Sequence, residues 1–122
     1  MKKIILVDDD ITTRSLLKML LSMEGYEVFI PDAINENLIH TITEENPHAL
    51  LIDVFLHLVS GIEIVRNIRT LRKNNDVKIL MTSGMDVKLD CLNAGADGFL
   101  MKPFMPDELL NWLKINIDSY ES

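Results

Sequence analysis

Residues 3–10 read KIILVDDD: four aliphatic side chains run directly into three aspartates. A short continuous apolar run cut off by charge reads as a buried strand, 3–7. Residues 11–24 then place Ile11, Leu16, Leu17, Leu20, Leu21 and Met23 at helical spacing. Asp10 stands where an N-cap belongs, and Gly25 where the helix should stop. The same alternation repeats along the chain. YEVFI (26–30) reads as a second strand, and 34–45, with Ile34, Leu38, Ile39 and Ile42 on one face, as a helix ended by Asn46-Pro47. ALLIDV (49–54) is a third strand. Ser60 and Glu63 have the spacing of a capping box before Ile62, Ile64, Val65, Ile68 and Leu71. VKILM (77–81) is a fourth strand, followed by a short helix over about 86–94 that Gly95 ends. GFLM (98–101) is a fifth, and Pro106 opens a last helix running to about 118 with Asp107 and Glu108 in its first turn.

Five strands alternating with five helices predict an α/β fold: a five-stranded parallel sheet, doubly wound, with helices on both faces. The strands read as unbroken apolar runs, as expected where both faces of a sheet are covered. The 122 residues fit one domain, read as 1–122, and 48% hydrophobic residues suffice for one core. A net charge of −7 argues against direct binding to nucleic acid or an anionic membrane. No apolar run is long enough to span a bilayer, and the N-terminus lacks the long apolar region and small-residue site of a signal peptide. One cysteine, Cys91, cannot form an internal disulfide. These features together read as cytoplasmic.

Ligands of such sheets bind beyond the carboxyl ends of the strands. The residues there are Asp8, Asp9 and Asp10 after strand one, Asp53 in strand three, Thr82 and Ser83 after strand four, and Lys102 after strand five. Clustered carboxylates repel one another, and a hard cation such as magnesium relieves that repulsion, often beside a phosphate. A lysine can meet a phosphoryl oxygen, a threonine can donate to another, and an aspartate can attack phosphorus. The pattern points to a metal and phosphoryl site.

With Asp8-Asp9, Asp53 after ALLI, Thr82 after KILM and GADGFLMKPF at 95–104, the chain resembles the receiver domain of two-component response regulators over essentially its whole length. The resemblance implies a flavodoxin-like, CheY-like fold with strand order 2-1-3-4-5. It implies that Asp53 accepts a phosphoryl group from a histidine kinase or phosphotransfer protein in a reaction needing Mg2+ (or Mn2+). Asp9 would bind the metal directly, Asp8 through water, and the Phe55 carbonyl would add a third protein ligand. Lys102 would pair with Asp53 and the phosphoryl group, through a cis Lys102–Pro103 bond. Thr82 and Phe99 would switch, and Ser83 would leave room for the phosphoryl group. The surface of the fourth helix, fifth strand and fifth helix would follow, changing binding to a downstream target or to an output domain that this chain does not contain. The same surface could support a homodimer. The resemblance thus implies a signalling switch rather than an enzyme, with self-phosphorylation and autodephosphorylation as its only chemistry.

Three features depart from the family pattern. Leu56-His57 replaces the usual Met-Pro, which bears on the rigidity of that loop, and His57 reads as solvated. Phe55 is bulky beside the acceptor and is expected to affect autodephosphorylation through access. Thr82 and Lys102 lie 20 residues apart, about two fewer than the family suggests, so helix four is expected to be short or displaced. Most of the seven methionines are expected in the core, and Trp112 is read as equally suited to an exposed anchor or to packing on the sheet. Two other readings stay open: a receiver-like module that binds without phosphorylation, and a haloacid-dehalogenase-like phosphatase with Asp8 as nucleophile and Asp10 as general acid.

Overall fold

The computed structural model describes residues 1–118 apart from residue 75, and only the backbone of residue 72. The last four positions of the 1–122 domain therefore lie outside the described residues. The elements run β1 (Lys3–Val7), α1 (Ile11–Met23), β2 (Glu27–Phe29), α2 (Leu38–Glu45), β3 (Ala49–Asp53), β4 (Phe55–Leu56), β5 (Val59–Ser60), α3 (Gly61–Arg69), β6 (Lys78–Ser83), α4 (Lys88–Ala94), β7 (Gly98–Met101) and α5 (Pro106–Leu113). A 3-10 turn covers Arg72–Asn74, and a π-helical turn, Lys114–Asp118, prolongs α5. The main sheet is parallel with order β2-β1-β3-β6-β7, which is 2-1-3-4-5 among its own five strands. The fold expected from the sequence is the fold observed.

Two cores sandwich the sheet. Ile5, Val7, Leu50, Ile52, Ile79 and Met81 face α2, α3 and α4. Ile4, Leu6, Leu51 and Leu80 face α1 and α5, through Leu21, Leu109 and Leu113. Adjacent strand residues point to opposite faces, so an apolar residue at every position fills both cores. At 1.5–3 kcal/mol for each fully buried large aliphatic side chain, these strands are the main source of cohesion.

The helix ends show where local chemistry decides. α2 starts at Leu38 rather than 34, because the Asn35 side chain accepts the Asn37 N–H at 2.9 Å and the Leu38 N–H returns to the Asn35 carbonyl at 3.0 Å. That side-chain turn competes with a helical one. Half of the capping box before α3 is present: Ser60 Oγ accepts the Glu63 N–H at 3.3 Å, while the Glu63 carboxylate bonds Arg66 instead. The reciprocal bond occurs at α5, where Glu108 accepts the Met105 N–H at 2.7 Å ahead of Pro106. Asp10 is the N-cap of α1, and its carboxylate accepts the Thr13 hydroxyl at 2.5 Å. α4 has seven residues and ends at Gly95, whose φ of 116° belongs to the left-handed region.

One expectation fails on burial. Among the methionines only Met81 is buried; Met1, Met19, Met23, Met85, Met101 and Met105 are exposed. On α1, Leu21 is buried and Leu17 and Leu20 partly so, while Ile11, Leu16 and Met23 face solvent. The apolar stripe of α1 is wider than the strip the sheet covers. Trp112 packs on the sheet, its indole lying over Gly98.

Candidate functional site

The β1, β3, β6 and β7 ends converge at one edge of the sheet. Parallel register puts Asp53 opposite Thr82 and Ser83 opposite Met101, so Lys102 follows directly beside them. The Val54 N–H donates to the Thr82 carbonyl at 2.9 Å and the Lys102 N–H to the Ser83 carbonyl at 2.7 Å, which ties the three strand ends together. The Lys102–Pro103 bond is cis, as the resemblance implied.

The Lys102 ammonium lies 3.1 Å from Asp53 Oδ2 and 3.3 Å from Asp8 Oδ2. Asp8 is buried (4% exposed), and its second oxygen accepts the Asp10 N–H at 2.9 Å. Burial pushes the Asp53 carboxyl above its ordinary value; the hydrogen bond and charge of Lys102 pull the other way, and Asp8 adds to the rise. Burial acts to lower the Lys102 pKa, but its bond to Asp53 and the nearby Asp8 charge outweigh it, so the ammonium is held.

Asp9 is exposed and turned toward the segment after β3, where its carboxylate accepts the His57 N–H. That segment is a small antiparallel hairpin, with Phe55 opposite Ser60 and Leu56 opposite Val59. The sequence reading missed it because His57-Leu58 carries no Gly or Asn turn signal. Leu58 takes φ 69° unaided by either. The expected proline is thus replaced by a hairpin and by the Asp9–His57 clasp, while the His57 side chain is exposed. Phe55 is 55% exposed and lies two residues after Asp53. Gly61 was also missed. It starts α3 against the backbone of Asp53 and Val54, and its N–H donates to the Val54 carbonyl at 2.8 Å. A glycine in the first turn of a helix is a poor helix former, and that was the available signal.

Thr82 and Ser83 are buried, and Ser83 Oγ accepts the Met85 N–H at 2.9 Å. Phe99 pairs with Met81 and sits half-buried against the α2–α3–α4 core. All the strand-end residues singled out from the sequence therefore share one edge, apart from Phe99, which lies one turn of the pleat below it.

The donor set suits a hard cation. Asp8, Asp9 and Asp53 set three carboxylates against one ammonium, leaving two negative charges uncompensated. Among the described residues no three His, Cys, Asp or Glu side chains are grouped tightly enough to hold a metal by themselves. Magnesium commonly takes one or two carboxylates and completes its shell with water and phosphate oxygens, so this set fits it.

Among the described residues no helix is long and apolar enough to cross a membrane. The chain matches the family described as the response regulator receiver domain over residues 4–114. PhoB, the phosphate regulon transcriptional regulatory protein of Pseudomonas aeruginosa, is 35% identical over 117 residues, covering 93% of this chain and 50% of that protein. The chain spans about half the length of the curated relatives it matches. Among solved structures, a CheY-like receiver domain protein of Methanospirillum hungatei has 35% identity and a TM-score of 0.86 over 99% of this chain and 97% of that one. The receiver domain of the sensor histidine kinase PA1611 of P. aeruginosa, with a magnesium ion coordinated in its active site cleft, has 27% identity and a TM-score of 0.85 over 97% and 98%. Sheet order, the acid–lysine cluster at its edge and a match over nearly the whole chain agree: the chain belongs to the response regulator receiver domain family.

Proposed function

We propose that the chain is a phosphoryl-accepting signalling switch in which Asp53 receives the phosphoryl group in a magnesium- or manganese-dependent reaction. The observation that carries this reading is the shared hold of Lys102 on Asp53 and Asp8, with Thr82 beside Asp53 in register. Asp9, Asp8, Asp53 and the Phe55 carbonyl would hold the metal, which when bound screens the acids and the incoming phosphoryl oxygens. An Asp53 oxygen forms the bond to phosphorus as the donor's bond breaks. Lys102 stays paired to the acyl phosphate. Thr82 then donates to a phosphoryl oxygen, drawing its strand end inward, and Phe99 follows. The face built by α4, β7 and α5 responds as a shift between two populations.

A histidine kinase or phosphotransfer protein would be the donor, resting on the apolar groove beside Lys102 that Leu16, Leu20, Pro103 and Phe104 line. The receiver would be a downstream protein or an output domain, or a second copy through the face that exposes Met85, Leu89 and Met101. The setting would be cytoplasmic. The phosphatase reading is the weaker one, because it leaves Asp53, held 3.1 Å from the Lys102 ammonium, without a role.

The test is intact mass after incubation with acetyl phosphate, with and without magnesium, on wild type and Asp53→Asn. A metal-dependent gain of one phosphoryl group, lost in Asp53→Asn, supports the proposal. If neither a gain nor binding of beryllofluoride is seen, the phosphorylation-independent module takes its place.

A further inference from the structure

The two acids that follow β1 have different partners. Asp8 shares the Lys102 ammonium with Asp53, at 3.3 and 3.1 Å. Asp9 forms no ion pair among the described residues, and its carboxylate is exposed. It accepts a single backbone donor, the His57 N–H. Among the described residues Asp8, Asp9 and Asp53 accordingly do not close into one group able to hold a cation. Asp9 stands apart from the other two, and the His57 N–H is what it is bonded to.

The hairpin gives up nothing to make this bond. His57 and Leu58 are the two residues that turn β4 into β5, and the ladder pairs Phe55 with Ser60 and Leu56 with Val59. The His57 N–H lies outside that ladder, so it is available to a carboxylate. The bond is charge-assisted, the stronger class of hydrogen bond. The same hairpin carries the Phe55 carbonyl, read above as a metal ligand. One short segment therefore presents a ligand for the cation and a rival donor for one of the acids that would hold it. A binding group that is tied up part of the time lowers the apparent affinity by the fraction that is free.

We propose that His57 is a positioning residue whose backbone N–H holds Asp9 off the cation site, so that the 55–60 hairpin sets the metal affinity of the acceptor edge. This rests on the reading of Asp9 as a direct metal ligand. Asp9 serves the cation only by leaving the His57 N–H. The hairpin then loses its tie to the end of β1, and its exposed Phe55 and Leu58 report the state of the metal site at the molecular surface. The side chain of His57 takes no part, because the donor is the backbone.

The test measures Mn2+ affinity, from the electron paramagnetic resonance signal of the free ion, for unphosphorylated wild type, His57→Pro, His57→Gln and Asp9→Asn. Proline removes the N–H, and the turn suits it. Leu58 has the positive φ, 69°, that a type II turn needs after proline, His57 lies outside the positive-φ region, and Leu56 is in a strand, the conformation favoured before proline. The proposal expects binding about tenfold tighter in His57→Pro and wild-type binding in His57→Gln, which keeps the N–H. A measurement on wild type alone decides even if the proline variant does not fold: as Mg2+ saturates, the residue 57 amide proton should move upfield and exchange faster with solvent. Equal or weaker affinity in His57→Pro, or an amide 57 that keeps its shift and protection at saturating Mg2+, would overturn the proposal. Asp9→Asn separates it from the reading on which it rests. Weakened binding in Asp9→Asn without a gain in His57→Pro removes the clasp alone, whereas unchanged binding in Asp9→Asn removes Asp9 as a ligand and the clasp with it.

Discussion

Gly61 controls the placement of Asp53 through its backbone. A Cβ there would stand 2.1 Å from the Asp53 carbonyl oxygen and 3.0 Å from the Val54 Cα. Both neighbours are backbone at the end of β3, so no rotamer change relieves the clash. Restoring even 3.0 Å needs a shift of about 0.9 Å at the closest contact. That shift must be taken up by the start of α3 or by Asp53 itself, whose carboxylate is 3.1 Å from Lys102. Overpacking of this kind costs about 1–3 kcal/mol, and a reacting group misplaced by about 1 Å can lose on the order of 100-fold in rate. Urea unfolding and acetyl phosphate labelling of Gly61→Ala should show both losses. Gly84→Ala is the control for stability, because a Cβ there meets nothing within 4 Å; it should stay within about 0.5 kcal/mol of wild type. A Gly61→Ala protein as stable and as readily labelled as wild type would refute the close-approach reasoning.

Other consequences follow from the same geometry. Burial raises the Asp53 pKa above 3.8, so the folded state binds that proton more tightly than the unfolded chain. The contribution is stabilising below pH 3.8 and is lost as pH rises through the folded value. Asp53→Asn should therefore melt higher than wild type at neutral pH, with the gain gone under acid conditions; equal melting at both would contradict it. Arg69 donates to Gly95, Asn74 and Asp97 at 2.8, 2.9 and 2.7 Å, joining α3 to the turn before β6 and to the loop after α4, so Arg69→Ala should cost about 2–3 kcal/mol in chemical denaturation. Phe55→Asn opens the approach to Asp53 and should hasten loss of the phosphoryl group, followed by the decay of phosphorylated protein; an unchanged decay would dismiss Phe55 as a barrier. In Gly98→Ala the new methyl would fall 2.3 Å from the Trp112 indole nitrogen, and the fluorescence of this single tryptophan should shift with its displacement.

How far the chain could be read without coordinates differs between residues. KIILV, ALLI and KILM each announce a doubly buried strand, and the acids and hydroxyls at their ends were visible as candidates because parallel sheets present those ends to ligands. Local chemistry also placed the Gly95 stop and the Pro106 start, since φ preference and a missing N–H act within one turn. The order β2-β1-β3-β6-β7 came only through the family resemblance, because nothing in a strand's own residues names its neighbour. Tertiary structure alone decided that Asp8 would be buried on Lys102 while Asp9 turned out to His57. The two are adjacent in sequence and identical in type, and only the alternation of the chain at the sheet edge separates them. The exposed methionines teach the same lesson: apolar character shows what a side chain can fill, but burial depends on whether another element lies over it. The hairpin at 55–60 and the close approach of Gly61 to Asp53 were hidden for a related reason, since both are contacts between chain segments rather than properties of either one.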